Sequence, residues 1–149
     1  MLPGPLQLNQ SVVESVTLKA YDGLPSAASL NITTTPSFGR NNADKNQWMV
    51  KLKVAFKGAE DKIAPYDGEI TIAGVFTITP DRPEDGILKL VATHCPMFLY
   101  STAREIVATL TARGPHGMLT LPTVIFNDIQ IASPIASAGE SSAEGMTKD

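Results

Sequence analysis

From Trp48 to Lys57 apolar and polar positions alternate almost without fault. Trp48, Val50, Leu52, Val54 and Phe56 share one side, and Lys51, Lys53 and Lys57 the other, with Met49 and Ala55. A side-chain period of two is that of a strand with one buried and one solvated face. Tyr66 to Thr79 repeats the pattern, with Ile70, Ile72, Phe76 and Ile78 against Glu69, Thr71 and Thr77. Gly74 falls inside that run, where a bulge or the close approach of another group is expected. Two weaker strands precede these. Val12, Val16 and Leu18 alternate with Val13, Ser15, Thr17 and Lys19, interrupted by Glu14, and Leu30 and Ile32 alternate with Asn31 and Thr33. Pro36 is expected to stop the second run, leaving Ser37 to Asn46 as an exposed loop. Gly58 to Pro65 reads as the next connection. Four strands with short polar links predict an antiparallel sheet.

The period then lengthens. Pro83-Glu84-Asp85 reads as the acidic first turn of a short helix ending near Thr93, broken by Cys95-Pro96 because proline disfavours helix in the residue before it. From Met97 to Arg113 the stripe Leu99, Ala103, Ile106, Val107 and Leu110 predicts a second helix. Arg113 is expected in its last turn, with Gly114 beyond. Asn127 to Ile131 fits a strand or a short helix, ended by Pro134. Strands followed by helices indicate an α+β fold, a four-stranded antiparallel sheet with a helix hairpin packed on one face. The domain is expected over residues 1–136, and 137–149, rich in Ser, Gly, Ala and Glu, as a disordered tail.

Composition narrows the function classes. The 149 residues suit one domain, with 43% hydrophobic and 18% charged residues. A net charge of −3 provides no overall positive field for nucleic acid. Cys95 is the only cysteine, so no internal disulfide can form and a reducing, cytoplasmic setting is expected. Met1 to Pro5 shows no secretory pattern, and no apolar run approaches the roughly 18 residues of a membrane span.

Reactive chemistry is sparse. Only His94, beside Cys95, and His116 represent histidine. Neighbours in sequence rarely share a metal, and zinc needs three or four convergent ligands, so neither cofactor nor metal is expected. There is no nucleophile elbow and no phosphate-binding glycine pattern. Glu60, Asp61, Asp81, Glu84 and Asp85 sit in loop-like segments where solvation explains them. The lysine row 51, 53 and 57 reads as the wet face of a strand. The chain is therefore not read as an enzyme.

One ordered set of motifs points to a family. Cys95-Pro96 with Leu99, then Ala103-Arg104-Glu105, Arg113-Gly114, Leu119, Leu121 and Phe126 follow one another at spacings that resemble SecB, the protein-export chaperone, without a gap. Glu69, Gly74, Phe76 and Ile78 resemble the family's last strand, and the likeness extends over Leu8 to Ile131. It implies a SecB-like fold and a holdase for unfolded client polypeptides in protein export, assembled as a homotetramer (a dimer of dimers) by sheet edges and long helices. The alternative is a dedicated assembly or interaction partner reusing the fold, antitoxin-associated or a phage or plasmid component. Client-lining positions of the family fall on Leu30, Ile32, Tyr66, Met118 and Leu119, each of which equally suits ordinary core packing.

The departures concern SecA, the family's motor partner. Two acidic docking positions on the first strand are Ser15 and Lys19 here, while a third, Glu69, is retained. An Asn-Phe-Asp signature before the family's last helix is replaced by Ile125-Phe126-Asn127-Asp128, and Ile129, Ile131 and Pro134 oppose a long helix. The zinc-binding tail has no counterpart in Ser137 to Asp149. SecA is thus a doubtful partner, and neither nucleic acid nor membrane insertion is expected.

Overall fold

The computed structural model describes residues 2–26, 29–80, 82–127, 129 and 131. Strands β1 (Leu6–Ala20), β2 (Leu30–Arg40), β3 (Gln47–Gly58) and β4 (Tyr66–Ile78) form one antiparallel sheet in the order β1-β4-β3-β2. Helix α1 (Glu84–Thr111) packs across the two central strands, β3 and β4. The core lies between them: Trp48, Val50, Leu52, Val54 and Phe56 from β3, and Ile70, Ile72, Phe76 and Ile78 from β4, are all buried. The alternation in these two strands therefore reports the faces correctly. The expected tail 137–149 lies outside the described residues.

Pro36 does not end β2. The strand continues to Arg40, with Pro36 opposite Leu52 and Phe38 opposite Val50. As an edge strand β2 has a neighbour on one side only, so a proline without an N–H is tolerated there. The exposed loop shrinks to 41–46, where Asn41 Oδ1 accepts from Ala43 N at 2.8 Å and Asp44 Oδ1 from Asn46 N at 3.0 Å. Such bonds let Asn and Asp build a turn from their own side chains. Arg40 then ties the hairpin to the helix. Its guanidinium donates twice to the Glu84 carboxylate, at 2.5 and 3.1 Å, and lies 4.8 Å from the Trp48 ring centroid.

β1 is read differently from its sequence pattern. Register shifts between Leu8 and Gln10 and between Val13 and Ser15 insert extra residues, so Val13 and Val16 pair opposite Ile72 and Ile70. Val12, opposite Ala73, belongs to the outer face. A bulge reverses the alternation beyond it, which a strict period of two cannot anticipate. Gly74 is explained by close approach: a Cβ there would come within 2.9 Å of Leu99 Cδ2.

The expected helix hairpin is replaced, among the described residues, by one 28-residue helix with Pro96 inside it. Proline in a helix interior costs about 3 kcal/mol. Against that stands the row Ile87, Val91, Cys95, Leu99, Ala103 and Val107, four residues apart and buried throughout. Fully burying one large aliphatic side chain stabilises by about 1.5–3 kcal/mol. Keeping both halves on the same sheet face outweighs the lost hydrogen bond. Glu84 and Asp85 occupy the first turn, as expected, but the last turn has no basic residue, since Arg113 lies beyond Thr111.

Candidate client-binding surface

After α1 the chain turns back. Residues 117–127 contain no helix, strand, turn or bend, and form a strap running antiparallel to the helix. Its fastenings come in order. Thr111 Oγ1 accepts from Leu119 N at 2.7 Å, Arg104 Nε donates to Leu121 O at 2.9 Å, and Tyr100 OH donates to Pro122 O at 2.5 Å. Leu121 and Phe126 are buried anchors, the latter edge-on to Tyr100 with ring centroids 6.0 Å apart. Burial raises the Tyr100 pKa, which keeps its hydroxyl a donor.

Tyr66 fixes the start of the strap. It is buried, donates from its hydroxyl to Gly117 O at 2.8 Å and accepts from His116 N at 3.1 Å. Gly114 is required beside it, because a Cβ there would fall on the Tyr66 hydroxyl. His116 completes the fastening through a 2.7 Å contact between Nε2 and Tyr21 O. Of the five client-lining positions expected from the sequence, Tyr66 is thus enclosed. Leu30, Ile32 and Leu119 are half-buried against the common core, and Met118 is 63% exposed. Leu30 and Ile32 stand on β2, on the same sheet face as the core. Phe38 continues that row. It was hidden in the sequence because Pro36 suggested that the strand had ended.

The outer sheet face carries the charges. Lys53 Nζ lies 3.4 Å from Glu69, and Lys51 Nζ 3.2 Å from Glu14 at the second β1 bulge. Glu69, expected from the sequence as an acidic docking position, is therefore already matched by a cation. Ser15 and Lys19 pair opposite Thr71 and Asp67 on that face.

No reacting centre is assembled from the expected polar residues. Cys95 is buried, and burial pushes its thiol pKa up, away from the thiolate form needed for reaction. His94 Nδ1 lies 3.3 Å from Leu90 O, one turn back in the same helix. Among the described residues no three His, Cys, Asp or Glu side chains converge on a metal position, and no helix is long and apolar enough to cross a membrane.

The described residues thus form a sheet backed by one helix, with an uncharged strap and half-buried apolar side chains around it. The comparisons specify the family. The family described as SecB, preprotein translocase subunit SecB, matches residues 19–133, and the chain belongs to this family. Protein-export protein SecB of Psychrobacter arcticus is 31% identical over 98 residues, 66% of this chain and 64% of that protein. Its counterpart from Afipia carboxidovorans is 36% identical over 97 residues, 64% of this chain and 59% of that protein. The chain thus spans less than two thirds of the length of either relative. A solved Mycobacterium tuberculosis SecB-like chaperone, in complex with a ChAD peptide from the HigA1 antitoxin, has the same fold, with a TM-score of 0.61. The identity is 16%, and the likeness covers 80% of this chain and 88% of that one.

Proposed function

We propose that this protein is a cytoplasmic holdase, a SecB-like chaperone that binds unfolded polypeptides without chemical turnover. The observation that carries this is the uncharged apolar surface around the strap. From Gly114 to Asn127 there is no charged residue, and Leu30, Ile32, Phe38, Met118 and Leu119 add apolar area that the core does not fully enclose. A surface without charge or a shaped pocket suits many clients, since it demands no particular side-chain chemistry. Leu30, Ile32, Met118 and Leu119 contact the client, and Tyr66 holds the strap in place. The peptide complex of the structural relative and the export proteins among the sequence relatives support this reading.

The test is suppression of thermal aggregation of two unrelated client proteins. A holdase protects both at stoichiometric amounts. Protection of neither sinks the proposal. Protection of one client alone favours the second reading, a dedicated partner for a single protein, to which the antitoxin peptide of the structural relative lends support.

The assembly we infer is a homotetramer, a dimer of dimers. On the helix side of edge strand β1, Leu8, Val13 and Val16 are 38%, 46% and 40% exposed, and on α1 Met97, Phe98 and Leu110 are 40–45% exposed. An exposed apolar edge strand and helix flank are covered at least cost by further copies. Light scattering should give a multiple of the 15.9 kDa chain mass. A monomer across micromolar concentrations would refute the assembly.

SecA is expected to bind weakly. Glu69 faces Lys53, and Lys19 stands where the family has an acid, so an approaching basic surface meets little attraction. Exposed single charges contribute about 1 kcal/mol or less. The double change Ser15→Asp with Lys19→Glu should strengthen residual binding at low salt. Tight, salt-insensitive binding of the unmodified protein in calorimetry would overturn this.

A further inference from the structure

Client holding leaves the lysine row of β3 without a task. Lys51, Lys53 and Lys57 are exposed on the outer sheet face, away from α1 and the strap. Because they stand on one face of one strand, their side chains recur in steps of about 6.8 Å or twice that. The two sides of the row differ in charge. Towards β4 and β1 lie acids: Glu69 beside Lys53, Glu14 beside Lys51, and Asp67 opposite Lys19. Towards β2 there is none. Asn31, Thr33, Thr35 and Ser37, all exposed, stand opposite Lys57, Ala55, Lys53 and Lys51. A hollow of about 440 Å³ spans the row, with Asn31, Thr33 and Thr35 on one side and Asp67 and Glu69 on the other. Lys57, on its border, forms no ion pair among the described residues.

We propose that the β2 side of this lysine row docks an extended acidic segment of a partner protein, its alternate carboxylates resting on Lys51, Lys53 and Lys57. The surface lies on the opposite sheet face from the client-binding one and does not depend on the holdase reading. An ammonium group carries three donors. Glu14 and Glu69 engage Lys51 and Lys53 from one side only, in half-exposed pairs of the weak kind, so donors remain for a second carboxylate. The hydroxyls of Thr33, Thr35 and Ser37 and the amide of Asn31 can donate to the same carboxylates without adding a competing charge. A basic segment approaching from β2 would meet only like charge. Nucleic acid fits less well. Binding of single strands draws on aromatic side chains that stack bases, and the four strands present none on this face. The acids beyond the row would also repel a continuous phosphate backbone.

The test uses the full chain and a short capped peptide of alternating glutamate and threonine. Two controls accompany it: glutamine in place of glutamate, and the same residues with the glutamates contiguous, so that half of them face away from the row. In calorimetry at low salt the alternating peptide should bind at least about fivefold more tightly than either control. Its affinity should fall as salt is raised. Lys53→Gln with Lys57→Gln should weaken it by at least about fivefold. Lys89→Gln with Arg113→Gln removes the same charge on and just beyond α1, and should change it by no more than about twofold. No binding, equal affinity of either control peptide, or equal losses in the two double variants overturns the proposal. So does equally tight binding of a single-stranded oligonucleotide of the same charge, which would assign the row to nucleic acid. A carbodiimide cross-link from Lys53 or Lys57 to Glu140 or Glu144, formed without peptide, would assign it to this chain itself, with the same consequence.

Discussion

Helix α1 and the strap that follows it lie side by side on one core, and they settle their main chains in opposite ways. The helix satisfies its N–H and C=O groups internally and presents an apolar row to the sheet. That row is continuous enough to carry Pro96. The strap has no ladder, and side chains of the helix and of Tyr66 hold it at a few points. One element is stabilised by a continuous buried row, the other by two buried anchors, Leu121 and Phe126, and a handful of directed bonds. An element of the first kind resists local opening, whereas the second is where local opening is easiest and where main-chain groups remain free for a partner.

Four substitutions would sharpen or break this contrast. The largest effect is expected from Leu99→Ala, which empties the centre of the helix–sheet contact. Loss of a fully buried leucine costs about 2–5 kcal/mol, read as a fall in the urea midpoint. Ile125→Ala on the strap, 75% exposed, should change stability by no more than about 0.5 kcal/mol. Similar losses at both sites would show that the strap packs along its length and not only at Leu121 and Phe126.

Tyr66→Phe is intermediate. The ring remains, but Gly117 O and His116 N lose their shared partner. A cost of about 1–2 kcal/mol is expected, accompanied by faster amide exchange in residues 116–121 and unchanged exchange in the helix centre. Uniform acceleration across the chain would mean that helix and strap open together.

A further small effect separates them by pH. The side-chain hydrogen bonds from Arg40 hold the Glu84 carboxyl below its ordinary value of 4.5, despite an opposing effect of burial. The folded state therefore binds that proton less readily than the unfolded chain. The contribution is complete above about pH 4.5 and is lost as pH falls through the lowered folded value. Because Glu84 is largely exposed, it amounts to about 1 kcal/mol or less after solvent screening. Glu84→Gln should flatten this part of the stability–pH curve and leave strap exchange unaltered, since the bonds at Thr111, Arg104, Tyr100 and Tyr66 involve no carboxylate. An unchanged slope in the variant would show that Arg40–Glu84 does not hold the helix start.

Much of this organisation was legible residue by residue. The alternation of β3 and β4 located the core because both strands are central and regular, with one face under the helix. The ordered residues from Cys95 to Phe126 identified the family, and several have visible physical work: Leu99 and Phe126 are buried, Arg104 holds the strap, and Gly114 makes room for Tyr66. Of the candidate site, the positions themselves could be named, but not that Tyr66 would be enclosed while Met118 stands out. That difference comes from a hydroxyl meeting a loop fifty residues away in sequence.

By itself, then, the sequence determined the α+β order, the two central strands, the poverty of reactive chemistry and the family. These are encoded in local periodicity, composition and motif spacing. Only tertiary structure decided the fate of both prolines, the facing of β1 and the form of the strap. Pro36 is harmless because its strand has a single neighbour, and Pro96 because the residues on either side bury against one sheet. Bulges in β1 change which valine faces inward. The strap has the residues of a strand but, among the described residues, no strand to pair with, and pairing is a property of neighbours in space that no local pattern contains.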